Sequence, residues 1–181
     1  ASEGAHTGEI AASMVKDVGG TWVIVGHSER RTDQSESDVL VAQKFASAIA
    51  ADLSPIVCVG ETLAQREAGD AFAVVSKQLQ AVIELCGVSA LVKGAIAYEP
   101  LWAIGTGLTA TPEQAGQMHA SIRELVAGLD QDTAQAVRII YGGSVNPENA
   151  GLLFAQDEID GALIGGASLQ AASFAAIVAA I

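Results

Sequence analysis

Residues Ala95–Gly107 read AIAYEPLWAIGTG, and this stretch carries the pattern that decides the fold. A short apolar run, too brief for a helix, ends at Glu99, and a loop with one proline and two glycines follows. Further on, TPEQ at Thr111–Gln114 predicts a helix start with a capping box. Similar apolar runs occur at Trp22–Val25, Ile56–Val59, Arg138–Tyr141 and Ala162–Ile164. Segments of helical spacing separate the runs, which predicts parallel strands joined by right-handed crossovers and covered by helices.

The composition limits the classes of protein to which the chain can belong. The 181 residues carry 21 acidic and 9 basic side chains, and the formal net charge of −12 argues against a nucleic-acid partner. No apolar run reaches the ~20 residues that span a bilayer, so we expect no membrane partner. Cys58 and Cys86 are too few for a disulfide framework and lack metal-ligand spacing. We predict one soluble, cytoplasmic domain over residues 1–181.

Candidate catalytic residues follow the predicted strands directly. In parallel α/β folds, ligands bind at the carboxyl ends of the strands. His27 follows the first run and Glu99 the third, so the two side chains can form an electrophile and base pair. The alternatives are a structural histidine and a carboxylate that caps a helix or pairs with a cation. Arg30 and Arg31 can attract an anion or form surface ion pairs.

Two glycine-rich turns and one loop suggest how a substrate is held. Gly142–Ser144 and Gly165–Gly166 end the last two runs, and backbone N–H groups at such turns can approach a phosphate closely. Tight turns need glycine anyway, so the signal is moderate in specificity. The stretch Pro100–Gly107 has the features of a lid, in which Trp102 and Ile104 cover a substrate, or it is an ordinary strand-to-helix loop.

Six segments together resemble the triosephosphate isomerase family: GAHTGEI, WVIVGHSERR, PIVCVGE, AYEPLWAIGTG, IIYGGSV and IDGALIGGASL. They occur in the family's order and at its spacing, and they extend over nearly the whole chain. The resemblance implies an α/β fold of the TIM (β/α)₈-barrel family. It also implies the interconversion of dihydroxyacetone phosphate and glyceraldehyde 3-phosphate, a step of glycolysis and gluconeogenesis, with no cofactor and no metal.

The resemblance also implies roles for individual residues. Carried over by motif, Glu99 would be the base that moves a proton between two substrate carbons, and His27 the neutral electrophile that polarises the carbonyl. Glu29 would be a supporting carboxylate nearby. The phosphate would be held by donors from Gly105, Ser144, Gly165 and Gly166. These roles are implied by the family and were not worked out from the spacing of the residues.

The chain departs from the family pattern at its start. Family members have about 250 residues, and GAHTGEI normally follows their third strand, whereas here it begins at Gly4. We therefore expect an incomplete barrel of about five parallel strands. The family's Asn-x-Lys motif, whose lysine stabilises developing negative charge, has no counterpart, and Leu108 stands where a lysine often follows the lid. The lysines present are Lys16, Lys44, Lys77 and Lys93, three in predicted helices and the last before a strand.

These departures predict a change in activity and in assembly. Losing one electrostatic group costs roughly 10²–10³ in kcat, so we expect weak or no turnover by the chain alone. Open sheet edges at Trp22 and Ala162 and an apolar inner face favour a homo-oligomer, a non-standard dimer. His6 in place of the family's usual aromatic fits a relaxed constraint at the old interface. A catalytically silent phosphate-binding barrel and a bare folding unit remain alternatives.

Overall fold

A computed structural model describes residues 3–104 and 109–181. In chain order these residues form α1 (Ala12–Asp17), β1 (Trp22–Val25), α2 (Ser28–Asp33), α3 (Asp38–Ala50), β2 (Ser54–Val59), α4 (Leu63–Glu67), α5 (Ala71–Cys86), β3 (Ala95–Tyr98), α6 (Pro112–Ala127), α7 (Gln131–Ala136), β4 (Arg138–Tyr141), α8 (Ala150–Phe154) and α9 (Ala171–Val178). Short 3₁₀ segments lie at Val88–Lys93, Leu101–Ala103 and Gly166–Leu169.

The four strands form one parallel sheet in chain order, β1-β2-β3-β4. Val25 lies opposite Val57, Val59 opposite Tyr98, and Tyr98 opposite Tyr141. Because each strand is parallel to the last, the chain crosses back through helices after every strand. The carboxyl ends of all four strands therefore meet at one edge, as the alternating pattern predicts.

The structure does not form the fifth predicted strand, Ala162–Ile164, so that prediction was wrong. The run is reduced to a single parallel bridge between Tyr141 and Ala162, held by Tyr141 N–H donating to Gly161 O and Leu163 N–H donating to Tyr141 O, both at 2.9 Å. The apolar run between Gly161 and Gly165 is only three residues long, and β4 pairs with it on one side. The described part of the chain thus forms an open parallel sheet with one bridged segment, an incomplete barrel.

The core lies between the sheet and the helices that cover its outer face. Strand β3 is buried along its whole length, and Ile96 is fully inaccessible. On the outer side, Phe45 of α3 and Leu79 of α5 are also fully buried. The helix start predicted at Thr111 is present as a capping box: its hydroxyl accepts from Gln114 N–H at 3.2 Å, and Gln114 Oε1 accepts from Thr111 N–H at 3.0 Å.

The inner face of the sheet is exposed at β1, the edge strand. The side chains of Trp22 and Ile24 remain 44% and 46% accessible, as expected where nothing continues the sheet. Apolar side chains of α1 and α9, at the two ends of the fold, are exposed as well: Met14, Phe174 and Val178. Association that covers these surfaces stays a prediction. In the described ranges, no helix has both the length and the apolar character to cross a membrane.

One buried core residue makes the stability of the fold depend on pH. His119 of α6 is fully buried, and its Nδ1 lies 3.1 Å from the Glu158 carbonyl, which can only accept, so Nδ1 carries the proton. Burial lowers the pKa of His119 from 6.5 to about 4, and the Glu158 carbonyl and Asp160 oppose this shift only in part. The folded chain therefore holds a neutral imidazole at neutral pH.

We predict that His119 makes the free energy of unfolding fall as the pH drops from 6.5 to 4. In that window the unfolded chain binds a proton that the folded chain does not, which costs about 3 kcal/mol in total, fully developed below pH 4. His119→Asn keeps a donor for the Glu158 carbonyl but does not titrate. Urea unfolding between pH 7.5 and 4 should show a smaller loss for this variant. Equal slopes for both proteins would contradict the prediction.

Candidate active site

The turn after β1 presents His27 at the carboxyl edge of the sheet. Gly26 has φ of 68°, and a Cβ there would lie 2.6 Å from a Val41 methyl, so the turn requires glycine. His27 is the N-cap residue of α2, and its Nδ1 accepts from Glu29 N–H at 3.3 Å. When the imidazole is neutral, this leaves the proton on Nε2, which is therefore the group that can donate to a ligand.

The carboxylate of Glu99 follows β3 and is almost completely buried, with 2% of the residue accessible. Its Oε1 lies 2.9 Å from His27 Nε2. Its Oε2 accepts from the Ser28 N–H at 2.9 Å. The structure thus brings His27 and Glu99 together, although 71 residues separate Ser28 from Glu99 in the sequence. A base candidate and a proton donor share one hydrogen bond at this edge.

The charge of Glu99 shifts the pKa of two neighbouring groups. Its hydrogen bond raises the pKa of His27 above 6.5; burial opposes this rise, and the charges of Glu99 and Glu29 add to it. Burial raises the pKa of the Cys58 thiol well above its usual range, and the charge of Glu99 and a hydrogen bond to it raise it further. Cys58 is a fully buried small residue, as predicted, but it also packs against the carboxylate.

Two glycines make room for Glu99. A Cβ on Gly60 would lie 1.7 Å from the Glu99 carbonyl oxygen, and a Cβ on Gly142 would lie 2.8 Å from Glu99 Cγ. Gly142 N–H also donates to the Tyr98 carbonyl at 2.7 Å, which ties the end of β4 to the end of β3. The backbone of Glu99 therefore requires glycine at position 60, and its side chain requires glycine at position 142.

The predicted phosphate donors lie along the same edge, after β4 and the bridged segment. The Ser144 hydroxyl donates to the Ala103 carbonyl at 3.0 Å, which links this turn to the first turn after Glu99. Gly165 and Gly166 are exposed, and a Cβ on either would meet no atom within 4 Å. Packing therefore does not explain these two glycines. Gly105, the fourth predicted donor, lies outside the described residues.

Glu61 is a buried carboxylate to which the sequence analysis assigned no role. It is fully inaccessible, and its Oε1 accepts from Tyr98 Oη at 3.0 Å, Trp102 Nε1 at 2.9 Å and Arg66 Nη1 at 3.2 Å. The Arg66 guanidinium also lies 4.8 Å from the centre of the Trp102 ring. The sequence does contain a signal for Glu61: a single glycine separates it from the end of β2, just as a single glycine separates His27 from the end of β1.

Glu61 therefore anchors the first turn of the predicted lid. Trp102, proposed from the sequence to cover a substrate, is held in the 3₁₀ segment Leu101–Ala103 by this carboxylate. Leu101 N–H adds a bond to the Glu61 carbonyl at 3.0 Å. The remaining lid residues 105–107 lie outside the described ranges.

The nearby arginines form ion pairs, which was the structural alternative for them. Arg31 donates to Asp38 at 2.7 Å and to the Gly26 carbonyl at 2.8 Å. Arg30 pairs with Glu36 at 2.5 Å and with Glu9 at 3.0 Å. Lysines are also used elsewhere: Lys44 pairs with Glu36, and Lys16 donates to the Asp52 carbonyl. The charged groups of these four side chains thus bind other carboxylates or backbone carbonyls and form no ion pair with Glu99.

We predict that Glu99→Gln lowers the pKa of His27. The neutral amide removes the charge and offers a weaker acceptor to His27, so both causes of the raised pKa diminish while burial still lowers it. Histidine ¹⁵N NMR measures the pKa directly, because the chain has three histidines. Glu113→Gln, an exposed change in the first turn of α6, is the matched control and should leave the pKa of His27 in place. An unchanged pKa of His27 in Glu99→Gln would contradict the hydrogen bond between His27 and Glu99.

Comparison with known proteins identifies relatives of this chain. The family model described as triosephosphate isomerase matches residues 1–181. A triosephosphate isomerase of Alcanivorax borkumensis is 55% identical over 175 residues, which cover 97% of this chain and 71% of that protein. One of Stenotrophomonas maltophilia is 56% identical over 178 residues, covering 98% and 71%. One of Dechloromonas aromatica is 55% identical over 174 residues, covering 96% and 70%. The chain belongs to the triosephosphate isomerase family.

Proposed function

We propose that this chain acts on triose phosphates and interconverts dihydroxyacetone phosphate and glyceraldehyde 3-phosphate by proton transfer. The observation that carries the proposal is the 2.9 Å contact between His27 Nε2 and Glu99 Oε1 at the carboxyl edge of a parallel sheet. Family membership supports the same substrate. The reaction is an internal oxidation and reduction of one molecule, so it requires no cofactor.

Glu99 is the proposed base. Its carboxylate takes a proton from the carbon next to the substrate carbonyl and returns it to the former carbonyl carbon, while the hydroxyl proton of one substrate oxygen passes to the other oxygen through His27, so the enzyme gains no net proton. Burial of the carboxylate, with 2% of Glu99 accessible, excludes water that would weaken the base by solvation. A substrate carbon must enter between Glu99 and His27, because the two side chains contact each other directly.

His27 is the proposed electrophile. The Glu29 N–H donates to Nδ1, so a neutral ring presents the Nε2 proton to the substrate oxygen. That donor stabilises the negative charge which develops on the oxygen when the carbon loses its proton. Once the substrate separates the pair, His27 loses the hydrogen bond that raises its pKa. When a substrate binds, a neutral Nε2–H donor that faces the substrate oxygen therefore replaces the contact between His27 and Glu99.

The phosphate is proposed to bind at the exposed glycines Gly165 and Gly166, with Ser144 and Gly105 as further donors. The open space above both glycines allows the close approach of a phosphate oxygen to the backbone. None of these donors carries a charge. The chain contains no Asn-x-Lys motif, so we propose that turnover by the chain alone is weak or absent and rises when a segment with that lysine is supplied.

The turnover prediction uses the purified chain, alone and with a peptide that spans the first three strands of a family member. Turnover in both directions should rise on adding the peptide, and Glu99→Gln should lower it by about 10²–10⁴. Glu113→Gln should retain it. Turnover that persists in Glu99→Gln would assign the activity to another site or to a contaminant. No turnover with or without the peptide would favour the silent phosphate-binding alternative.

Phosphate binding provides a prediction that does not depend on turnover. Gly166→Ala places a methyl group where the phosphate would approach, so glycerol 3-phosphate should bind about tenfold more weakly by calorimetry. Gly151→Ala is the matched control, because Gly151 is also exposed with nothing near its Cβ position, but it lies in α8. Equal affinity in both variants would place the phosphate elsewhere.

A further inference from the structure

A histidine outside the proposed chemistry is buried behind the base. His119 is fully inaccessible within α6, the helix that follows the lid. Polar side chains are seldom fully buried without a function or a full set of partners. Its Nδ1 is oriented by the Glu158 carbonyl at 3.1 Å, which fixes the plane of the ring.

The ring of His119 packs against two tyrosines. It meets Tyr98 edge to face, with centroids 5.8 Å apart and planes at 84°. It meets Tyr141 at 6.3 Å and 41°, and the two tyrosines lie 6.5 Å from each other. All three are 1% accessible or less. Aromatic contacts of this geometry are directional as well as apolar, so the three rings hold one another at fixed angles.

The two tyrosines are the last residues of β3 and β4, directly before Glu99 and Gly142. Successive residues of a strand point to opposite faces, so the rings lie on the helix side while Glu99 faces the site. The ends of the two strands are joined by Gly142 N–H donating to the Tyr98 carbonyl. Gly142 also leaves no spare room beside Glu99 Cγ. A shift of either tyrosine would therefore move the carboxylate.

We propose that His119 is a positioning residue for Glu99: its ring fixes Tyr98 and Tyr141 from α6 and so sets the distance between the Glu99 carboxylate and His27. The role of Glu99 as a base rests on the proposed function. The positioning itself does not rest on the proposed function, because it concerns the hydrogen bond between His27 and Glu99, which requires no substrate. This positioning role would link α6, the helix that carries His119, to Glu99.

The test compares two apolar substitutions that differ in the ring. His119→Phe keeps an aromatic ring and His119→Leu does not, while both remove the donor to Glu158. The readout is the pKa of His27 by histidine ¹⁵N NMR, since the hydrogen bond to Glu99 is the largest cause of its rise. His119→Leu should lower the pKa of His27 by about half a unit or more, a threefold change in proton affinity. His119→Phe should stay closer to the unsubstituted chain.

A control separates positioning from general loss of stability. Ile122→Val removes one methylene from a fully buried residue of the same helix and leaves the three rings in place. It should lower the melting temperature without changing the pKa of His27. If His119→Leu does not fold, His119→Met supplies the variant without a ring. Equal pKa values of His27 in the ringless variant and in Ile122→Val, or equal shifts in the Phe and ringless variants, would overturn the proposal.

The result is distinguishable from failure of the proposed function. No substrate is present in the titration, so a silent chain with an intact site gives the same answer as an active one. A shift in His119→Leu together with turnover that Glu99→Gln leaves untouched would keep the positioning contact and remove the role of Glu99 as base.

Discussion

The buried carboxylate of Glu99 is the constraint on which the rest of the site depends. An ionised group removed from water costs several kcal/mol unless its oxygens find partners. Two of its partners, the Ser28 N–H and His27 Nε2, come from the single turn after β1. Strand β2 lies between β1 and β3, so the turn reaches Glu99 only because three parallel strands end in register. The register of the sheet therefore determines the chemistry of the site.

The same carboxylate explains the small residues around it. Gly60 and Gly142 are required because a Cβ would overlap Glu99 itself, whereas Cys58 fills the remaining volume with a group that stays protonated. Gly165 and Gly166 differ, because their Cβ positions are open. Glycines along one edge of the sheet can thus serve two purposes. Those that pack against the base belong to the fold, and those that face open space are free for a ligand.

The sequence predicted which residues lie at strand ends and helix starts better than it predicted which side chains are hydrogen-bonded to each other. The strand-end rule found His27 and Glu99 because it needs only the order of short runs and the direction of a parallel sheet. The capping box at Thr111 was readable from four letters. The strand-end rule also places Glu61 at the same edge of the sheet, but not its role as an acceptor, because no motif in the sequence links it to Tyr98 and Trp102, its donors 37 and 41 residues away. The run at Ala162–Ile164 has strand propensity, but the structure gives it one bridge and no ladder.

Charge limits what this site can do as it stands. Under the proposed function a triose phosphate lies beside Glu99, which is buried, and the chain carries a net charge of −12. Arg31 is paired with Asp38, so its charge is already neutralised. A dianionic substrate would meet neutral donors and one fixed negative charge, which favours proton abstraction but not attraction. Proton transfer and substrate capture are therefore separable under the proposed function: Glu99 and His27 supply the first, and a cation beside Glu99, which no lysine or arginine of the described residues provides as an ion pair, would supply the second.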